Sequence, residues 1–309
     1  EALKALFEGR FGHAEKAALR AAELEENAGL AALIGARAAH RMRQSERRDS
    51  WLARVEGDAS LKTARLMTVT ELLVDDHQPE AALAAVRELN ASGTRHIHAL
   101  QWSLKAEQQA KNWPEVLRLV RSLDKHRALH PALSSRLREL AYDHLLSDPS
   151  HDAESLMRVW STVPSSDRVK PYIACRAATA LNARGLHDEA RLVCEESLAA
   201  DWDERVVRAY REAAAPAGTP ALLLQIEHCE QWMKQRPLDA ELALTLGTLC
   251  LKQKLWGKAQ RHLEQALSDA NEPQMVRDAH LKLAQMHDAL QQTEQAAAHY
   301  RQCALATIL

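Results

Sequence analysis

Apolar and small residues recur along this chain with a helical period, most legibly between Arg236 and Ala266, RPLDAELALTLGTLCLKQKLWGKAQRHLEQA. Ala243, Leu246, Gly247 and Cys250 fall on one helical face, and Trp256, Ala259, Leu263 and Ala266 fall on another. A short basic turn containing glycine separates the two patterns. Neither face can be buried except against the other and against a further pair of the same kind, so the pattern predicts an array of helical hairpins.

The spacing agrees with the tetratricopeptide (TPR) unit of about 34 residues, in which small residues mark close helix crossings and large ones fill the flanks. With Ala240 at position 1, Gly247 falls at position 8 and Ala259 at position 20, and these two are expected to form the close contact. The same ruler finds repeat starts near residues 32, 63, 97, 134, 171, 206, 240 and 277, preceded by a truncated match in EGRFGHAEKAALRAA. Trp51 stands where an alanine is usual. ASG at 91–93 reads as a helix stop, VPSSDRVKP at 163–171 as a turn-like linker, and AAAPAGTP at 213–220 as the largest departure from the pattern. The expectation is an all-α protein, a right-handed TPR superhelix (α-solenoid) of about eight hairpins. It forms one array over 1–309, less regular over 1–133 and clearer over 134–309.

Composition agrees with this. Ten glycines, ten prolines and two phenylalanines in 309 residues leave a chain dominated by helix formers, without β-branched runs of strand length. A net charge of −2 argues against nucleic-acid binding, which usually shows a basic excess. No apolar run approaches the ~18 residues that span a bilayer. The chain begins at Glu1 rather than Met, and is expected to be a piece from which an N-terminal segment has been removed.

Candidate chemistry is sparse. The glycines never fall as GxGxxG or GxxxxGK[ST], and GxSxG, HExxH and CxxCH are absent from the sequence, so no enzyme activity is expected. Cys175, Cys194, Cys229, Cys250 and Cys303 form no CxxC pair, and several occupy apolar helical positions as buried free thiols, which fits a reducing compartment. His280 and His287 share a helical face, as metal ligands could, but their repeat positions read as core. His126 and His130 run into Pro131 at a helix end, and His96 and His98 point to different faces. No catalytic, cofactor or metal residue is assigned.

Binding is the stronger expectation, because stacked hairpins line an extended concave surface with their first helices. Repeat positions 2, 5, 9, 12 and 13 place Arg43, His98, Gln101, Lys105, Arg138, Tyr142, Tyr172 and Asn182 on that surface as candidate partner-binding residues, along with His40, Gln108, Tyr210 and Glu241. The set is amphipathic and mildly basic, with tyrosines that suit recognition of a protein or peptide.

The segments EGRFGHAEKAALRAA, ARAAHR, RRD and RPLDAELALTLGTLCLKQKLWGKAQRHLEQAL, in that order along the chain, resemble the HemY family of proteobacterial inner-membrane TPR proteins associated with protohaem synthesis. The resemblance implies two transmembrane helices upstream of Glu1 and an inner-membrane location, while the free thiols point to a cytoplasmic TPR region. The resemblance also implies a scaffold for haem-pathway enzymes or other partners. Alternatives are a porphyrin or haem carrier with His40 or His98 as axial ligand, and a TPR interaction module unrelated to haem. An unrelated protoporphyrinogen oxidase shares the family's name, and the missing flavin-binding glycine motif sets this chain apart from it.

Overall fold

In the computed structural model, which describes residues 1–91, 96–270 and 272–306, the chain is all-helical, with no strand among the described residues. It divides into two compact units, Glu1–Ala141 and Tyr142–Leu309. Helix α9 runs across the division.

The first unit contains the antiparallel pairs α1 (Ala2–Phe7) with α2 (Phe11–Ala21), α3 (Glu25–Arg41) with α4 (Ser45–Ala53), α5 (Lys62–Asp75) with α6 (Pro79–Ala91), and α7 (Ile97–Gln109) with α8 (Trp113–Lys125), followed by most of α9 (Pro131–Ser147). α1 has six residues, and the truncated match EGRFGHAEKAALRAA falls on the turn after it and on α2. α6 ends at Ala91, and Ser92 and Gly93 of the expected stop signal lie outside the described residues.

A recurring turn sets the period of this unit. Gly9, Arg43, His77 and Lys111 stand 34 residues apart and all have a positive φ, between 56° and 74°. In each case the amide of the next residue reaches back across the helix end: Arg10 to Ala5 O (2.9 Å), Gln44 to Ala39 O (3.0 Å), Gln78 to Leu73 O (2.9 Å) and Asn112 to Glu107 O (3.0 Å). This left-handed C-cap closes the last carbonyls of the first helix and turns the chain directly into the second. The turns inside these four helix pairs thus keep a 34-residue spacing, and Arg127 (φ 51°) closes α8 with the same kind of turn outside that series, Ala128 reaching Leu123 O at 2.9 Å.

Trp51 has a specific accommodation. A β-carbon at Gly35 would lie 2.5 Å from the Trp51 ring, so the glycine in α3 makes room for the indole where an alanine is usual in α4. The indole N–H donates to Glu15 Oε1 of α2 at 3.0 Å, and Arg47 pairs with the same carboxylate at 2.7 Å.

The second unit continues from α9 with α10 (Ala153–Thr162) and the single turn α11 (Ser165–Arg168), which occupies the expected linker. The pairs α12 (Pro171–Asn182) with α13 (His187–Ala200), α14 (Glu204–Glu212) with α15 (Pro220–Gln235), α16 (Ala240–Lys252) with α17 (Trp256–Asp269), and α18 (Pro273–Ala289) with α19 (Thr293–Leu305) follow. The left-handed turn returns at Gly185, Lys254 and Gln291. The segment 213–220 departs from it, as expected: α14 is only nine residues long, and its partner begins with Thr219 capping the Leu222 amide.

Ala243, Leu246, Cys250, Ala259, Leu263 and Ala266 are all buried, and they join α16 to α17 and to their neighbours. At Gly247 the nearest neighbour is Leu263: a β-carbon there would stand 2.8 Å from Leu263 Cγ and 3.1 Å from its backbone nitrogen.

Candidate functional site: a groove between first helices

Helix α12 opens with Pro171, whose fixed φ and missing N–H suit a first helical position. Its apolar face, Ile173, Ala174, Ala177, Ala178 and Leu181, is buried. The opposite stripe, Tyr172, Cys175, Arg176 and Thr179, follows the i, i+3, i+4, i+7 spacing that aligns side chains along a helix. On α14 the stripe Arg205, Arg208, Ala209 and Glu212 has the same spacing, while Val206, Val207 and Tyr210 point into the core. The two stripes face each other across a groove of about 290 Å³.

Its walls are tied together and its charges are balanced from behind. Cys175 Sγ donates to Arg205 O at 3.6 Å, and Asn182 Nδ2 donates to Ala209 O at 3.3 Å. Arg176 pairs with Asp143 (2.8 Å), and Arg205 with Asp203 (2.7 Å). Arg208 and Arg211 both grip Glu241 of α16, at 3.0 and 2.7 Å, although that carboxylate is only 1% exposed. Hydrogen bonding to these carboxylates raises the Arg205 and Arg208 guanidinium pKa values, and a bond to the Tyr172 side chain raises that of Arg176. Each guanidinium keeps donor positions that a single carboxylate does not use. Burial pushes the Cys175 thiol above its ordinary value, which holds it in the protonated, poorly nucleophilic form.

Of the residues expected on the binding surface, Tyr172 lines this groove and Asn182 acts beside it as a strut. Tyr142 does not line a surface. It is 1% exposed and belongs to the core, because the face of α9 that it shares with Arg138 is open only at the Arg138 end. Tyr210 and Glu241 are buried for the reasons given above.

In the first unit, His98 and Lys105 are exposed on α7 with Trp102 between them. Lys105 Nζ lies 4.3 Å from an indole ring centroid, and the His98 ring meets the indole edge-on at 6.0 Å. Gln101 spends its amide on Ala128 O at 3.1 Å. Arg43 is exposed, but as the left-handed residue of the turn after α3 it lies outside any helical face. Arg138 is half-buried, held by Ser134 and Asp124, and lines a separate hollow with His130 and Arg127. His40 is 6% exposed, with Asp75 and Asp76 within 4 Å of its ring nitrogens. His126 and His130 lie in the connection between α8 and α9, where helical spacing no longer brings side chains together.

Sequence reasoning missed Cys175, Arg176, Thr179, Arg205, Arg208 and Glu212. The signal available was the repeated i, i+3, i+4, i+7 stripe itself, carried forward from Tyr172 and then from Arg205.

Paired antiparallel helices, a 34-residue turn period and a groove between successive first helices define a helical-repeat protein of the TPR, α-solenoid class. No protein-family model and no curated protein matches the chain. Solved structures similar to it include the APC/C hetero-tetramer Cut9-Hcn1, at 14% identity and TM-score 0.38, covering 98% of this chain and 64% of that one. The human IFIT1 dimer with PPP-AAAA matches at 16% identity and TM-score 0.36, covering 88% and 67%. Naa15/Naa10 bound to HypK-THB matches at 13% identity and TM-score 0.36, covering 96% and 51%. Likenesses this remote carry no argument about what this chain binds.

Proposed function

We propose that this protein is a non-enzymatic scaffold that holds a polypeptide segment in the groove between α12 and α14. The observation that carries this reading is the pair of matched stripes. Two successive first helices bury their apolar faces and leave Tyr172, Arg176, Thr179, Arg205 and Glu212 along one open channel. Such a surface offers an aromatic anchor, guanidinium donors and one carboxylate acceptor at a spacing fixed by the backbone. The test compares wild type with an Arg176→Glu/Arg205→Glu variant in quantitative pull-downs, with circular dichroism to confirm equal folding. Loss of the same retained proteins in the variant supports the groove, and equal recovery removes it.

The finer reading is a membrane-anchored, HemY-like scaffold that gathers haem-pathway enzymes at the inner membrane from the cytoplasmic side. What supports it is the resemblance of the quoted segments. Among the described residues no helix is long and apolar enough to cross a membrane; in this reading the anchor is the pair of transmembrane helices that the resemblance implies. Co-purification of haem-pathway enzymes with the full-length gene product tests it, and their absence from membranes containing that product overturns it.

One observation favours tetrapyrrole binding as a second reading: His98 is exposed beside the Trp102 indole, an imidazole next to an aromatic platform. His40, enclosed by Asp75 and Asp76, is no longer a candidate. A saturable Soret shift lost in His98→Ala supports haem binding, and a shift that is absent or unchanged in the variant removes it.

A further inference from the structure

His280, His287 and His299 converge in the last hairpin. The sequence pairs His280 with His287, seven residues along the same helix, but the structure pairs it across the hairpin. His280 Nδ1 on α18 lies 3.0 Å from His299 Nδ1 on α19, with the ring centroids 5.2 Å apart and the planes at 41°. His287 stacks on His299, with centroids 5.4 Å apart and planes at 8°. Its own Nδ1 meets Gln292 Oε1 at 2.6 Å.

We propose that His280 and His299 form a two-histidine site for a divalent transition-metal ion of the kind that prefers imidazole, Zn²⁺ being the probe. Two ligand nitrogens about 2.0–2.1 Å from one tetrahedral ion stand roughly 3.3 Å apart. The observed pair needs to open by only a few tenths of an ångström through small rotations of the two rings. The backbone beneath is fixed, because buried Ala284 and Ala296 hold α18 and α19 together. His287 and Gln292 act as positioning residues that set the plane of the His299 ring.

Among the described residues no three His, Cys, Asp or Glu side chains are grouped to hold a metal, so water completes the coordination shell. In the metal-free pair one Nδ1–H donates to the other Nδ1. On binding, that proton passes through water to Nε2 of the same ring, so both rings stay neutral and both Nδ1 lone pairs reach the metal. Water completes the sphere, so the site is one of moderate affinity and rapid exchange, independent of the groove.

The test is calorimetric titration with Zn²⁺ at pH 7.5, paired with hydrogen exchange of 273–305. Wild type should show one site that raises protection in α18 and α19. His280→Gln and His299→Gln should each lose it by tenfold or more in affinity, and His126→Ala should keep it. Far-UV circular dichroism confirms that each variant is folded, and the conservative glutamine limits packing loss. Zinc uptake unchanged in both glutamine variants, or protection elsewhere than α18 and α19, overturns the proposal.

Discussion

Gly247 and Leu263 touch so closely that the space of a single methyl group separates a packed crossing from a clash: a β-carbon at 247 would come within 2.8 Å of Leu263 Cγ. Alanine in place of a mid-helix glycine ordinarily stabilises by roughly 0.5–1 kcal/mol. Here overpacking, at about 1–3 kcal/mol, outweighs that gain. Gly247→Ala should therefore lower the denaturation midpoint, and Gly247→Trp should separate α16 from α17. Gly257, with open space around its would-be β-carbon, is the control: Gly257→Ala should leave stability equal or raise it.

The left-handed turns yield a second expectation. Lys254 holds φ at 61°, a conformation that costs an L-residue about 1–2 kcal/mol and glycine almost nothing. Lys254→Gly should stabilise the α16–α17 hairpin by up to about 1 kcal/mol in urea titration. Gly185→Ala, at φ 77°, should do the reverse.

Much of this architecture is legible in the sequence, and the parts that are not share a cause. Helix pairs show because buried positions such as Ala243, Leu246 and Cys250 recur with the helical period. The turns hide because Arg43, His77 and Lys111 carry no glycine, and their strain is offset by the hydrogen bonds they close. The Trp51 position reads as a misfit until Gly35 is seen opposite it. Surface positions counted by repeat phase succeed at Tyr172 and fail at Tyr142, because the face of α9 that it shares with Arg138 is covered at Tyr142 and open only at Arg138. The His280 partner lies on another helix, a relation that spacing along one helix does not contain.

Glu241 is the electrostatic fastening between α14 and α16. Removing one member of a buried ion pair costs about 3–5 kcal/mol, since the remaining charges lose their partner. Arg208 is about one-third exposed, so water relieves part of that loss. Glu241→Gln should destabilise by roughly 2–3 kcal/mol, seen as faster hydrogen exchange across α14 and α16. Arg205→Gln, whose partner Asp203 is at the surface end of α14, should change stability by under about 1 kcal/mol.

Acid should loosen the protein at α17 and its last hairpin, as it should around His40, whose pKa burial also lowers. Burial lowers the folded-state pKa of His262, His280 and His299, and neighbouring cations or imidazoles lower it further: Arg261 beside His262, His299 beside His280, and His287 beside His299. Glu264 opposes this at His299, and Glu230 opposes it at His262. The unfolded chain, with ordinary histidine values near 6.5, takes up protons before the folded one. Stability from these groups is therefore present above about pH 6.5 and is lost as pH falls from there through the lower folded values. The urea midpoint should drop between pH 7.5 and pH 5. The drop should be smaller in a His280→Gln/His299→Gln variant.

The groove itself is tested most directly by a photo-crosslinking amino acid placed at Thr179, on the channel between α12 and α14, and in a separate variant at the exposed Leu192 on α13. Irradiation in cells should join the same polypeptide partner to residue 179 repeatedly and leave residue 192 without it. Equal labelling at both positions, or labelling from 192 alone, would contradict a scaffold that works through this groove.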